Sequence, residues 1–158
     1  MGQINIYTDG SSLGNPGPGG YGIVLEFKGK FKEISKGFRL TTNNRMELLA
    51  VIDALKSLKT NKYDITIFSD SKYVIDSIQK GWVNNWKNKS FKGKKNKDLW
   101  LEYLSVQKHF MLEFKWVKGH NGHPQNERCD ELAVAAASSK ILDIDLVFEE
   151  EQKKNVEE

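Results

Sequence analysis

The sequence predicts an α/β domain in which helices pack on a mixed β-sheet. Three observations lead there. The first forty residues hold three runs of strand character in succession, the period then changes to that of a helix, and from residue 60 onward strand-like and helix-like runs alternate. Three strands joined by short turns form an antiparallel meander, whereas strands separated by helices are reached by crossovers and lie parallel.

Taken in order, Gln3 to Asp9 alternates apolar and polar residues and runs into LGNPGPGG, a turn. GYGIVLEF (20–27) and KFKEISKGFRL (30–40) follow, separated by the hairpin signal Lys28-Gly29. In TTNNRMELLAVIDALKSLK, Leu48, Leu49, Ile52, Leu55 and Leu58 fall on one helical face. Thr42, Asn43 or Asn44 can cap that helix, which places Glu47 in or near its first turn. DITIFS (64–69) is short, β-branched and mostly apolar, as a strand buried between neighbours should be. It stops at Ser69-Asp70-Ser71, and SKYVIDSIQK reads as a helix capped by Asp70 or Ser71. Trp82 and Trp86 stand four apart on a further helical turn. DLWLEYLSVQKH (98–109) is helical, FMLEFKWV (110–117) alternates like a last strand, and the Ala-rich NERCDELAVAAASS (126–139) is helical with Asp130 in its early turns.

At 158 residues, 39% of them apolar, the chain suits one domain with a real core. Residues 1–144 are expected to form it, and 145–158 to be an acidic, poorly ordered tail in which Glu accumulates. No run approaches the ~20 apolar residues of a membrane span, and the N-terminus lacks the order of a signal peptide. A cytoplasmic address and no membrane partner are therefore expected. The single Cys129 cannot form an internal disulfide and agrees with a reducing compartment.

The formal charge of +3 is unevenly spread. KNKSFKGKKNK (87–97) holds six lysines and no acid, and EEEQKKNVEE (149–158) holds five Glu and two Lys, so the rest of the chain is neutral. The lysine run is either a solvated loop or a patch for a polyanion.

Four acids occupy positions where function gathers: Asp9 and Asp70 at strand ends, Glu47 and Asp130 early in helices. Sites in α/β sheets form outside the carboxyl ends of strands, so Asp9 and Asp70 become neighbours if their strands are adjacent and parallel. Each acid also has a structural reading as a cap or dipole partner. If all four converge, repulsion raises their pKa values, and hard divalent cations relieve it. All-oxygen ligation favours Mg²⁺ or Mn²⁺ over zinc, and two such ions ~3.5–4 Å apart can serve phosphodiester hydrolysis. A zinc site from His120, His123 and Cys129 has irregular spacing and no clear fourth ligand.

TDGSSLGNPGPGGYG, TTNNRMELLA, SDSKYV and WVKGHNGHPQNERCDELA, in this order and at these intervals, resemble type 1 ribonuclease H, which cuts RNA in RNA/DNA hybrids. The resemblance covers about Gln3 to Ala137. It implies a ribonuclease H-like α/β fold: a five-stranded mixed sheet, three antiparallel strands then two parallel, with the first strand in the middle and helices on the faces. It implies an endonuclease holding two Mg²⁺ ions in its substrate complex (Mn²⁺ as an alternative), leaving 5′-phosphate and 3′-hydroxyl ends and acting as a monomer. The family's acid tetrad falls on Asp9, Glu47, Asp70 and Asp130, and its loop histidine on His120, a group suited to proton transfer or product release. Asn15, Asn43 and Asn44 fall where the family contacts groove edges and sugars, and Thr42 and Asn85 where it holds a DNA-strand phosphate. Trp82 and Trp86, with Lys87, Lys92, Lys94 and Lys95, match the basic protrusion that rides on the DNA strand; four-residue spacing also suits Trp86 as core.

The chain departs from the family in two places. The segment from Trp86 to Trp100 is shorter than in members with a long protrusion. Leu40 stands where some members carry Arg, with Arg39 displaced by one, a shift that turns a strand side chain to the other face. The rival readings are a non-catalytic hybrid-binding module of the same fold, against which four retained acids argue, and an integrase-like strand transferase, for which no motif speaks.

Overall fold

The computed structural model describes residues 2–119 and 122–157. Strands β1 (Gln3–Ser12), β2 (Gly17–Phe27) and β3 (Lys30–Thr41) precede helix α1 (Asn43–Lys56), strand β4 (Asp64–Ser69) and helices α2 (Lys72–Gln79), α3 (Trp82–Asn88) and α4 (Lys97–Gln107). Strand β5 (Met111–Trp116) and helices α5 (Pro124–Ala137) and α6 (Leu146–Glu157) complete the chain. The sheet has five strands in the order β3-β2-β1-β4-β5. β1 to β3 pair antiparallel, and β4 and β5 run parallel to β1. The expected mixed sheet, with the first strand at its centre, is what forms.

Its residues explain its layers. Ile4 and Ile6 of β1, Ile23 of β2, and Ile65 and Ile67 of β4 join Met46, Leu48 and Ile52 of α1 in one core. On the opposite face α5 packs over a smaller cluster of Tyr7, Val24 and Cys129. β4 lies between β1 and β5, and Ile65 to Ile67 are buried throughout, which is why DITIFS lacks the alternation of a half-exposed strand. Two glycines set how closely the helices approach. A Cβ at Gly10 would collide with the α1 backbone at Met46 and Glu47, and one at Gly22 with the Cys129 carbonyl of α5.

The C-terminal segment departs from expectation. Instead of a poorly ordered acidic tail over 145–158, residues 146–157 form α6. The reason lies in residues that the Glu-rich composition conceals. Phe38 bridges Asp143 in the parallel sense, so the segment first runs along β3. Asp145 is buried and receives Arg45 Nε and Nη2 at 2.7 and 2.9 Å, and Thr41 Oγ1 donates to it at 2.7 Å. The buried Phe148 ring lies 5.7 Å from the same guanidinium. Among the described residues, no helix is long and apolar enough to cross a membrane.

Candidate active site

β1 and β4 are parallel and in register, Thr8 opposite Ser69, so Asp9 and Asp70 leave the sheet side by side at its carboxyl edge. α1 brings the third acid. Thr42 caps it, accepting from Arg45 N at 3.2 Å, and the close approach at Gly10 lets that residue's N–H donate to Glu47 Oε1 at 2.5 Å and to Asp9 Oδ1 at 2.9 Å. Carboxylate oxygens of Asp9, Glu47 and Asp70 all lie within 4.8 Å of one another. Asp130, from the second turn of α5, lines the same cavity of about 480 Å³, outside that tight trio. The structure thus brings all four predicted acids to one place.

The site is built for a cation. Asp9 is 7% and Glu47 3% exposed, and Glu47 Oε2 is buried without a hydrogen-bond partner among the described residues. Burial, with the charges of Asp70 and Asp130, pushes the Asp9 carboxyl up to about 7 against the hydrogen bond it shares with Glu47. Burial, then the Asp9 charge, holds Glu47 well above the carboxylate range. Oxygen-only donors that strain against ionisation fit a hard divalent ion, which would remove the repulsion that raises them. A zinc site on Cys129 is not what forms. Its thiol is fully buried, donates to the Tyr7 carbonyl at 3.2 Å, and is driven towards the neutral form by burial. His120 and Asn121 lie outside the described residues.

The candidate nucleic-acid contacts surround this cavity. Asn44 lines it together with two neighbouring cavities, one of about 350 Å³ shared with Asn15, Thr42 and Lys95, the other of about 390 Å³ shared with Trp82, Trp86 and Lys94. Asn15 Oδ1 accepts from Asn43 N at 3.1 Å, tying the first turn to the start of α1. Asn85, Lys87 and Lys92 are exposed and line none of these cavities. Trp86 sits between core and surface. Its ring packs at 6.1 Å on the buried Trp100, while its other surroundings include Lys94 Nζ at 5.2 Å and the ring of Trp82, which is 41% exposed.

The family model for RNase H matches residues 1–138. A ribonuclease H of Desulforamulus reducens is 52% identical over 149 residues, covering 91% of this chain and 93% of that one. The chain belongs to the RNase H family. It is accordingly a metal-dependent nuclease of the type 1, bacterial kind. Among solved structures, LC9-RNase H1, a type 1 RNase H with the type 2 active-site motif, matches with a TM-score of 0.80 and 33% identity over 89% of this chain and 74% of that one. LC11-RNase H1 in complex with RNA/DNA hybrid matches with a TM-score of 0.64 and 26% identity, over 85% of this chain and 96% of that one.

Sequence reasoning missed two features around this RNase H site. Arg45, two residues before Glu47, is a fully buried guanidinium bound by Asp98 and Asp145. Its position on the apolar face of α1 was a readable signal, but nothing in the sequence joins residues 45, 98 and 145. Lys72 lines the acid cavity with its ammonium 3.9 Å from the centroid of the Trp116 indole, which donates to the Asp70 carbonyl, and no motif pairs the two.

Proposed function

We propose that the protein is an endonuclease for the RNA strand of RNA/DNA hybrids, leaving 5′-phosphate and 3′-hydroxyl ends and using two Mg²⁺ ions, with Mn²⁺ able to replace them. The observation that carries this reading is the convergence of Asp9, Glu47 and Asp70 oxygens within 4.8 Å in a cavity that Asn44 joins to a surface of Trp and Lys side chains. Asp9, Glu47, Asp70 and Asp130 would hold the cations, which supply activation of the attacking water and stabilisation of the leaving 3′-oxygen. The residues of the chain do the rest. Glu47 and Asp9 are kept in place by the Gly10 N–H, so little reorganisation is needed at the moment of reaction. Asn15, Asn43 and Asn44 offer donors and acceptors to groove edges and sugars, and Thr42 and Asn85 to a DNA-strand phosphate. Trp82 and Trp86 present faces for sugars, with Lys87, Lys92, Lys94 and Lys95 neutralising phosphates. His120 carries a proton to or from the leaving product. The hybrid complex of LC11-RNase H1, a protein of the same fold, supports the choice of ligand. The enzyme acts as a cytoplasmic monomer.

Labelled hybrid, duplex DNA and duplex RNA incubated with Mg²⁺ test the reading. Cutting of the RNA strand of the hybrid alone, abolished by a chelator, is expected. Equal cutting of all three, or cutting that survives chelation, overturns it.

A further inference from the structure

We infer that Lys72 is a positioning contact for the strand being cut: its ammonium, parked over Trp116, neutralises an RNA phosphate next to the scissile one. The inference rests on the hybrid-nuclease reading and adds a residue to it. Lys72 is the sole cation lining the carboxylate cavity among the described residues, facing Asp9, Glu47, Asp70 and Asp130. An ammonium in such company ordinarily collapses into an ion pair. Here no ion pair to an acid is made by Lys72 among the described residues; the Nζ atom lies instead 3.9 Å from the centre of the Trp116 ring.

The indole is itself fixed relative to the acids. Trp116 ends β5 opposite Ser69, and its Nε1 donates to the Asp70 carbonyl at 3.2 Å. The ring therefore holds the ammonium at the rim of the cavity and off the carboxylates, where it would compete with divalent ions. A cation over an aromatic face keeps its N–H donors for another acceptor. A strand entering this cavity brings phosphate oxygens to them, and the strand that enters is the one whose bond is broken. The other aromatic and basic groups, Trp82, Trp86 and Lys94, line a separate cavity beyond Asn44, so Lys72 serves the RNA and they serve the DNA.

The test has two parts. Hybrid affinity is measured at several salt concentrations for the wild type, Lys72→Ala and Lys72→Arg. Lys72→Ala should weaken binding about three- to tenfold and lower the log–log salt slope by about one, with Lys72→Arg close to wild type. Hybrids with one neutral methylphosphonate walked along either strand locate the contact. At one RNA position beside the cut, wild-type affinity should drop to that of Lys72→Ala, and the variant should lose nothing more. If the matching position is on the DNA strand, or the salt slope is unchanged, the inference fails.

The second part is calorimetric titration of Mg²⁺ into the free protein. Trp116→Leu should weaken Mg²⁺ binding several-fold by releasing the ammonium onto the acids, and adding Lys72→Ala to it should restore binding. Equal weakening with and without Lys72 overturns the parking role. A wild type that neither binds nor cuts hybrid refutes the hybrid-nuclease reading instead, so the two failures are distinguishable.

Discussion

Two clusters of buried charge lie on either side of one turn of α1, and they are built on opposite principles. At Arg45, five N–H donors meet acceptors: two oxygens of Asp145, two of Asp98, and Asn96 Oδ1 at 3.4 Å. The guanidinium is 2% exposed, and its carboxylates outweigh the burial that alone would make it easier to deprotonate. Two residues on, Glu47 is as deeply buried, yet its neighbours are Asp9 and Asp70, and one of its oxygens has no hydrogen-bond partner among the described residues. The first cluster supplies its own counter-ions and ties α1, α4 and α6 together. Among the described residues the second gives buried Asp9 and Glu47 no cationic hydrogen-bond partner, an arrangement that suits a hard divalent ion.

Removing one charged side chain from each cluster should separate activity from stability. Asp70→Asn removes a candidate metal ligand without removing volume, and hybrid cleavage should fall by about 10³-fold or more while the fold and much of the hybrid binding persist. Single-turnover cleavage beside a binding titration checks this, and normal turnover would contradict the metal assignment. Arg45→Met should behave in the opposite way. It strands two carboxylates, so denaturant unfolding should show a loss of about 3–5 kcal/mol. Converting Asp98 and Asp145 to Leu in the same chain should recover much of that loss. If Arg45→Met alone is neutral, the cluster does not hold α6 in place.

The acids also set a pH dependence whose sign follows from the raised carboxyls. In metal-free protein, burial foremost pushes the Asp9 carboxyl up to about 7 from an ordinary 3.8. Between those values the folded chain holds more protons than the unfolded one, so this group's contribution to stability falls as pH rises from about 4 to 7 and is flat above. The fall amounts to about 2–4 kcal/mol. Asp9→Asn should remove it, making the metal-free variant the more stable at pH 8 and no more stable at pH 4. Mg²⁺ should raise the Tm of the wild type at pH 8 far more than at pH 5. Thermal unfolding of both proteins with and without Mg²⁺ decides the matter, and equal pH slopes would show that the nest is not strained.

How much of this was legible in the sequence divides along the same line. The sheet and its helices were readable because each signal is local: period two before residue 40, period 3.6 after it, and caps such as Thr42 and Ser71. The four acids were readable as separate residues at element ends, and the parallel pairing of β1 and β4 sets Asp9 beside Asp70; that Glu47 and Asp130 join them was implied only by the family resemblance. The Arg45 cluster was not, since it joins residues 53 and 100 positions apart through side chains alone. Composition misled at the C-terminus for the same reason. Glu149 to Glu151 read as a solvated tail, but Asp145 and Phe148 just before them are what α6 is anchored by.

The surface end of that anchor should contribute least. Arg39 grips Glu149 of α6 through Nε and Nη2 at 3.0 and 2.8 Å. The contact is paired and bidentate, but Arg39 is 56% exposed and so is screened by solvent and salt. Arg39→Ala should therefore cost far less than Arg45→Met, an effect that shrinks further in high salt. A loss comparable to that of Arg45→Met would mean that α6 is held from its outer face, and the contrast between a buried, fully hydrogen-bonded cluster and a peripheral pair would have to be redrawn.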